Sequence, residues 1–590
     1  MQDVLLIEDS SITYRIEPFY FEKGFSEIHN PIGFRPLTFT KEMFYDHIDN
    51  LMFLKEKDPS FHNQIGKSFQ IDWNLSDKIL YHDSYQKKDV PLPFKETEYE
   101  YLVEGKKNSP LQKYIRFKIE NVHLLVSEMK VGFLVYDLKV IELYEIKNGE
   151  KESLTQTVEN YEWAMYYLRK LQIANKGFLV AAIQDPEQVL RRKEYFIRRD
   201  AAIQNNEHFT EEEPAEPTLV PIKVKWTDLT NGLLKELGEV HSFTNQKKVG
   251  HHALLYTSTF IQPPEEIDAT AGTRKNFELM IANKVYKISH GYRETYYKDV
   301  KVEDILRPFD NIMWNFSSEG ASNIVYTLKD EQAMKFFDGS FKTKRETNFY
   351  FMYVLGLLQK YSLLYFTIRS TDILFQSSVY SGEELNKEER DKELKRTRDF
   401  YAETLKFTVH GYYEQVSYHS HYNEIYVQLI KALRIPEMQQ ELSPKAEAFH
   451  QVIESLVYEQ EMKEKESARE EQEKQNNIFQ TITFFLLPAS IATGILGMNV
   501  PLITNSNNFY LGYVVFGVTL LTILLLILLN KNKSISARTI AVVSAVFLSI
   551  IILLDIKYDF PKQDEETEQI KIEEQSNKSN QDAKPGSDKE

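Results

Sequence analysis

The hydrophobic pattern changes character near residue 476. Residues 478–496 and 511–529 contain no charged side chain, and a third apolar run covers residues 539–554. A hydrocarbon core of about 30 Å requires about 20 apolar residues per helix. We therefore predict three transmembrane helices, at residues 476–498, 509–530 and 537–556. Short apolar runs also occur in buried core helices, but three of them near one end of an otherwise soluble composition favour a membrane.

The charges beside these runs predict their orientation. Lys531, Lys533 and Arg538 lie between the second and third runs, whereas residues 500–508 carry no charge. Basic loops are retained in the cytoplasm. We expect a multi-pass protein of the inner (plasma) membrane with a cytoplasmic amino-terminal region and an extracytoplasmic tail. That tail, residues 560–590, is acidic and polar, which predicts disorder.

The first half of the chain mixes strand and helix patterns. Residues 131–146 resemble a strand, and residues 154–174 have apolar positions at helical spacing, namely Val158, Tyr161, Ala164 and Leu168. This mixture predicts an α/β (or α+β) cytoplasmic region. Residues 205–221 are rich in glutamate and proline, which predicts an acidic Pro-rich linker. We place the first part of the region at 1–216 and its second part at 217–382. Residues 347–374 predict a buried helix rather than a fourth span.

A helical, charged region follows at residues 383–442, with an interruption near Arg434. Ser443 is a plausible helix cap, and proline suits the first helical position at Pro444. No glycine or proline then occurs before Pro488. A stalk helix at 443–475 that continues to Gly497 would be about 80 Å long. We interpret its charged residues 461–474 as a solvated face.

A stripe of mostly polar or small residues follows this helix in alternating steps of four and three. Such spacing is the seam along which parallel helices meet, so identical subunits could surround an axis lined by amides and hydroxyls. Small and polar residues also pack neighbouring spans closely. The pattern alone leaves both readings open. The stripe consists of Asn476, Gln480, Thr483, Leu487, Ser490, Gly494 and Gly497.

Composition excludes several functions. The net charge of −16 argues against direct nucleic-acid binding, which requires a basic surface. The absence of cysteine excludes disulfides and thiolate metal sites. The chain has no phosphate-binding glycine loop, so nucleotide hydrolysis has no support. The histidines lack the spacing of a metal site, and we assign them no metal; they are His251, His252, His410, His419 and His421. We expect neither an enzyme nor a bound cofactor.

The end of the first apolar run resembles a known family. Gly497-Met498-Asn499 lies eleven residues after Pro488, a short neutral loop follows, Tyr513 opens the second span, and basic residues follow that span. Over residues 476–533 the chain resembles the CorA family of divalent-cation (magnesium) channels. The resemblance implies a homopentamer in membrane lipid, a cytoplasmic α/β domain, a funnel of stalk helices and a pore lined by the first span.

The resemblance also implies roles for individual residues. Gly497, Met498 and Asn499 would form the selectivity filter, where Asn499 amides hydrogen-bond the hydration shell of Mg²⁺ or another divalent cation. The other stripe residues would line the pore. Leu487, with Phe479 if it faces the axis, would form an apolar constriction that closes by dewetting.

Three departures from the family pattern leave the function open. Residues 500–511 contain no acidic residue, the chain is long, and a third span is present. Some CorA-like proteins are effectors of type III CRISPR systems that respond to a nucleotide messenger such as a SAM and AMP conjugate, which would imply antiviral defence and a nucleotide ligand. A third alternative is a non-conducting membrane scaffold. The sequence assigns no ligand-binding residue.

Overall fold

The computed structural model divides the chain into two compact units, Met1–Glu459 and Gln460–Glu590. The statements below refer to the residues that it describes. These are 4–7, 10–28, 31–39, 44–45, 48, 54–55, 66–75, 78–92, 97–104, 111–171, 179–205, 208–243, 253–264, 267, 270–292, 300–327, 331–376 and 386–497.

The first unit is built on one large, mainly antiparallel sheet. Its main path runs β13-β12-β8-β9-β10-β1-β15-β18-β17-β16, and β15 and β18 pair in parallel. In chain order the strands are β1 (Ile12–Phe21), β2 (Phe34–Pro36), β3 (Thr38–Phe39), β4 (Leu54–Lys55), β5 (Gly66–Ile71), β6 (Leu80–Asp83), β7 (Lys88–Pro91), β8 (Glu98–Glu104), β9 (Leu111–Ser127), β10 (Val131–Lys147), β11 (Glu150–Ser153), β12 (Leu179–Gln184), β13 (Leu219–Val224), β14 (Val240–Ser242), β15 (Leu254–Ile261), β16 (Leu306–Phe309), β17 (Ile312–Ser317) and β18 (Gly320–Tyr326).

Helices occur between the strands and dominate after β18. The described α-helices are α1 (Val158–Leu168), α2 (Pro186–Gln204), α3 (Trp226–Leu234), α4 (Ala271–His290), α5 (Glu331–Phe336), α6 (Lys342–Lys344), α7 (Tyr350–Phe375), α8 (Lys387–His410), α9 (Ser420–Ala432) and α10 (Ile435–Gly497). Two π-helical turns, Phe337–Phe341 and Arg345–Phe349, join α5, α6 and α7. The predicted α/β character of the region before residue 383 is confirmed.

The sheet separates two hydrophobic cores, because successive side chains of a strand point to opposite faces. On β1, Ile12 and Tyr14 belong to the core that contains residues of α7, α8 and α9. On the other face, residues of α1, α3 and α4 pack into the second core. Arg15 faces this second side, where its guanidinium lies 4.6 Å from the ring of Trp226. The first unit is therefore a helix–sheet–helix sandwich.

Several predicted segments appear where the sequence places them. The strand pattern of residues 131–146 is β10, and the helical pattern that follows contains α1, with Val158, Tyr161, Ala164 and Leu168 all buried. Residues 208–218 have neither helix nor strand, as the linker prediction requires. Strands on both sides of the linker belong to one sheet. Pro221 nevertheless lies inside β13, since an edge strand can lack an amide donor on its unpaired side.

One described helix has the length and apolar composition of a membrane span. It covers Gly339–Leu374, and 78% of its most apolar stretch is buried inside the protein. Val354, Leu355 and Leu363 are fully covered within the first core. A helix whose apolar surface is covered by protein needs no lipid, so we assign it to the core, as the sequence predicts.

Candidate pore helix and its support

The helix that carries the polar stripe is longer than its sequence predicts. It begins at Ile435, directly after Arg434, whose φ of 59° interrupts the preceding helix. The expected restart at Ser443 and Pro444 is wrong, because both residues lie inside α10. Ile435 and Leu442 are buried in the first core. This packing holds the first two turns of α10 in place, although Pro444 lies inside the helix. The 63 residues of α10 have a length of about 95 Å.

The stripe residues lie on one continuous helix up to the end of the described chain. Asn476, Gln480, Thr483 and Ser490 are exposed. Leu487, Gly494 and Gly497 lie on the helical backbone, although the Leu487 side chain is outside the described part. A regular helix brings residues spaced by four and three onto one face. Met498 and Asn499, the spans predicted at 509–530 and 537–556, and the tail at 560–590 lie outside the described residues.

Large apolar side chains beside this stripe are exposed in the part of the chain that the structure describes. Ile478, Phe479, Ile482 and Leu486 are 58%, 74%, 48% and 61% exposed. Burial of each such side chain away from water is favourable by about 1.5–3 kcal/mol of free energy. An exposed apolar surface of this extent is typical of an interaction with lipid or with another protein surface. The carboxy-terminal part of α10 therefore requires a neighbour.

Two hydroxyl groups on this segment donate to the helix backbone. Thr481 Oγ1 donates to the carbonyl of Asn477 at 2.6 Å, and Ser490 Oγ donates to the carbonyl of Leu486 at 2.8 Å. A hydroxyl donor left without an acceptor is expensive in hydrocarbon. These bonds let serine and threonine occupy an apolar environment, and they leave hydroxyl oxygen lone pairs directed away from the helix axis.

The segment before the stripe is strongly charged. Residues 461–474 contain six glutamates and four basic residues, and all are exposed. Lys465 Nζ lies 3.4 Å from Glu461 Oε2 one turn away. Exposed pairs of this kind contribute only about 0.3–0.5 kcal/mol each. The described contacts thus agree with the solvated face that the sequence predicts.

The amino-terminal part of α10 is supported by α8. Leu394 of α8 packs with Val452 and Leu456 of α10 in a separate small core. The rings of Phe400 and Phe449 lie 5.0 Å apart, and Arg390 Nε lies 3.8 Å from Glu459 Oε2. These contacts fix α8 and the first part of α10 as a pair of helices.

The same α8 is connected to the sheet and to α7. Lys406 Nζ lies 2.6 Å from Glu128 Oε1 in the turn between β9 and β10. The ring of Phe366 on α7 lies 5.8 Å from that of Phe400. Burial raises the pKa of the Glu403 carboxyl, although Arg369 opposes the shift. A displacement of α8 against the sheet would therefore also move the part of α10 that packs on α8.

The histidines singled out in the sequence do not form a site in the described chain. The His419 and His421 rings are 5.7 Å apart at the start of α9, and His251 and His252 lie outside the described residues. A different group has ligand atoms within 4.8 Å of one another, namely Glu22, Glu239 and His241. No local sequence pattern marks this group, because pairing of β1 with β14 brings its members together.

A mixed α/β unit followed by a long helix with an exposed apolar end is typical of a membrane protein with a large water-facing region. Residues 379–531 match the family model of the CorA-like Mg²⁺ transporter protein. These residues, which include α8, α9 and α10, form a CorA-like domain, and the resemblance noted around Gly497-Met498-Asn499 is confirmed. No curated protein and no solved structure matches the chain.

The match relates this segment of the chain to a membrane-associated family of divalent-cation transporters. It begins at residue 379, so the large sheet and the helices before α8 lie outside it. Sequence reasoning missed the residues of α8 and α10 that support the stripe. Phe449, Val452 and Leu456 carry a usable signal, since their spacing of three and four marks a second apolar face on the helix.

Proposed function

We propose that this protein is an oligomeric membrane channel for divalent cations, with Mg²⁺ as its principal ion, controlled by its amino-terminal unit. The observation that carries the proposal is the CorA-like match over residues 379–531, together with the polar stripe on a continuous helix that ends at Gly497. The function is transport and involves no catalytic residue.

In the proposed assembly, five identical chains place their stripes around one axis in the membrane. Asn476, Gln480, Thr483 and Ser490 offer amide and hydroxyl oxygens to the water around the ion. Mg²⁺ releases its hydration water reluctantly, so neutral groups that hydrogen-bond the hydrated ion suit it better than direct ligands. Gly497, Met498 and Asn499 form the outer filter, with Asn499 as an outer-sphere contact to the ion.

Charge and apolar surface support this arrangement. The glutamate excess of residues 461–474, repeated around an axis, raises the local concentration of cations at the inner end of the pore. Ile478, Phe479, Ile482 and Leu486 become covered by lipid or by neighbouring chains. Leu487 and Gly494 continue the stripe, and a ring of Leu487 side chains supplies the apolar constriction that closes the pore by dewetting.

The topology of the proposal has three spans, at 476–498, 509–530 and 537–556. The amino-terminal unit is cytoplasmic and the tail at 560–590 is extracytoplasmic, because Lys531, Lys533 and Arg538 mark the inner side. Stalk helices at the centre form a funnel below the membrane. The packing of α8 on α10 is the route by which the amino-terminal unit acts on the pore.

The proposal is tested by Mg²⁺ influx into liposomes that contain the purified protein. We expect influx driven by the membrane potential, and a loss of at least about tenfold in Asn499→Ala, because that variant removes the amide ring. Asn508→Ala is the matched control, since it removes an asparagine from the same outer loop without altering the Gly-Met-Asn motif. Silence of the wild-type protein under all conditions would overturn the channel and favour a tethered scaffold.

A further inference from the structure

The helix α2 and the acidic linker lie at one edge of the large sheet. The described part of the linker, residues 208–218, lies between α2 and β13, which is the last strand on that side of the sheet. Among the side chains of α2 that the structure describes, only that of Tyr195 is buried. Leu190, Ile197 and Ile203 are exposed. A helix with several exposed apolar side chains is typical of a surface that binds a partner.

A groove lies on α2 beside the end of the linker. It has a volume of about 470 Å³ and combines apolar and charged side chains. Six side chains of α2 between Val189 and Asp200 line it, together with Pro217 of the linker. We refer to it as the α2 groove.

Cationic side chains of α2 are arranged around an aromatic ring of the groove. The guanidinium groups of Arg192 and Arg199 lie 5.7 Å and 4.7 Å from the ring centre of Phe196. Arg199 Nη2 also lies 3.2 Å from Asp200 Oδ1, so the acidic residue of the groove already has a cationic partner. Lys193 is exposed and forms no ion pair in the part of the chain that the structure describes. The groove therefore offers cations beside apolar surface to a carboxylate ligand.

The acidic linker binds the cations of α2 within the same chain. Arg192 Nη2 lies 2.9 Å from Glu213 Oε1, and Arg198 Nη1 lies 3.0 Å from Glu211 Oε1. Glu216 Oε1 lies 3.8 Å from Arg192 Nη1. The linker contains four glutamates, and α2 contains five basic residues. The structure thus shows that this surface accepts an acidic segment without helix or strand.

The linker is fixed at its ends and held weakly between them. At one end, the ring of Phe209 lies 5.2 Å from that of the buried Tyr195. At the other end, the amide of Asp185 donates to the carbonyl of Thr218 at 2.8 Å. Residues 210–217 form no backbone hydrogen bond in the described part of the chain. Exposed ion pairs contribute little to stability, so a competing acidic segment can displace the middle of the linker.

We infer that the α2 groove is a docking site for an acidic, extended segment of another protein, and that the acidic linker covers this site in the free chain. Acidic side chains of the partner pair with Arg192 and Lys193 after the linker glutamates have left. An apolar side chain of the partner lies against Phe196 and Ile197. This docking does not rest on the proposed transport function.

A polypeptide fits this surface better than a lipid. Interfacial helices that bind anionic lipid have a polar face rich in lysine and arginine. On α2 the basic residues are mixed with Glu187, Glu194 and Asp200, which repel anionic headgroups. The segment that pairs with α2 in the structure is itself a polypeptide, and Pro214 and Pro217 keep it from forming a helix.

Docking is tested by fluorescence anisotropy with a labelled peptide that has the sequence of residues 208–219. The entire chain is held in phosphatidylcholine nanodiscs. In the triple variant Glu211→Gln, Glu213→Gln, Glu216→Gln, the linker no longer competes for the cations. We expect this variant to bind the peptide at least about tenfold more tightly than wild type, because a larger fraction of its sites is open. A peptide with glutamine at its four glutamate positions should not bind.

Two further substitutions, each added to the triple variant, locate the site on α2. Lys193→Gln should weaken peptide binding at least about fivefold, because it removes a charged hydrogen-bond donor from the groove. Arg191→Gln is the matched control, since Arg191 is an exposed cation of the same helix that does not line the groove. It should leave the affinity unchanged.

Three results overturn the inference. The first is the absence of saturable peptide binding to the triple variant, and the second is an equal loss of affinity in Lys193→Gln and Arg191→Gln. The third is displacement of the peptide by phosphatidylserine vesicles that bind the triple variant, which would make the surface a lipid site.

Cross-linking tests whether a second copy of this chain is the partner. The chain has no cysteine, so Arg192→Cys and Glu213→Cys introduce a unique pair for a bismaleimide. We expect cross-links within one chain, as the ion pair between these positions requires. Cross-links between two chains would assign the groove to the linker of a second copy and contradict the inference.

Discussion

The rings of Phe400 on α8 and Phe449 on α10 lie 5.0 Å apart at an angle of 50°. Both residues fall within the segment that matches the CorA-like family, and Phe400 also contacts Phe366 of α7. This pair therefore connects the helix layer on the sheet to the base of the stripe-bearing helix.

Replacement of Phe400 by alanine should destabilise the first unit. Phe400 is only 2% exposed, so the variant leaves a cavity between three helices. We expect the free energy of unfolding to fall by about 3–5 kcal/mol. Chemical denaturation of the purified protein, followed by circular dichroism, measures the change. Phe400→Leu is the matched control, since it keeps most of the buried volume; an equal loss in both variants would contradict the cavity as the cause.

Gly320 should not tolerate a side chain. A Cβ atom there would lie 2.7 Å from the carbonyl oxygen of Leu255 and 2.9 Å from Arg169 Nη2. Arg169 is buried and donates to the carbonyls of Ile288 and Ser289 at the end of α4. We expect Gly320→Ala to lower the free energy of unfolding by about 1–3 kcal/mol through steric overlap.

Gly339 provides the matched comparison for this glycine. It lies in a helical turn, and nothing stands within 4 Å of the Cβ position. Gly339→Ala should therefore be neutral or stabilising by up to about 1 kcal/mol, because alanine has the higher helix propensity. Thermal unfolding of both variants decides the point. A loss of stability in Gly339→Ala that equals the loss in Gly320→Ala would show that the contacts at Gly320 are not responsible.

Asp137 should make stability depend on pH. Burial, with smaller contributions from the Glu120 and Glu346 carboxylates, raises its pKa to about 7 from the ordinary value of 3.8. Tyr14 and Tyr350 also lie close enough for its charge to raise their pKa values. The folded state binds the proton more tightly than the unfolded chain, so stability falls as the pH rises from about 4 to about 7.

Asp137→Asn removes this titration, because the amide resembles the protonated carboxyl and stays neutral. The melting temperature of the variant relative to wild type should be higher at about pH 8 than at about pH 5. Differential scanning fluorimetry at the two pH values tests the prediction. The same difference between variant and wild type at both pH values would show that Asp137 does not titrate in this range.

Substitutions at Thr483 and Thr481 can distinguish the stripe from the opposite side of the helix. The two residues are two positions apart, so about 200° of rotation separates them around α10. If the stripe lines the pore, Thr483→Val should reduce Mg²⁺ influx about tenfold, because a hydroxyl that contacts hydrated ions is replaced by a methyl group. Thr481→Val should have little effect, and equal losses in both variants would exclude the stripe as the pore lining.

The sequence predicted much of the local structure because local patterns carry it. The alternation in β10, the helical spacing in α1 and the apolar density of α7 all correspond to observed elements. The CorA-like match likewise agrees with a motif and its flanks that are continuous in sequence. Each of these features depends on neighbouring residues only.

The wrong prediction of the residue at which α10 begins shows that local sequence rules do not determine every helix boundary. Ser443 and Pro444 have the chemistry of a helix start, yet the helix begins at Ile435. Burial of Ile435 and Leu442 in a core formed by distant segments decides the boundary. No pattern within residues 435–444 contains that information.

The sequence by itself determined the class of elements, the uncharged apolar runs near residues 478 and 511, and the family of residues 379–531. The tertiary structure alone decided that the strands on both sides of the acidic linker belong to one sheet and that α8 supports α10. It also decided that Glu22, Tyr20 and His241 meet Arg369 and Arg396 around a cleft. Periodicity and motifs are properties of adjacent residues, whereas strand pairing and helix packing join positions that are tens to hundreds of residues apart.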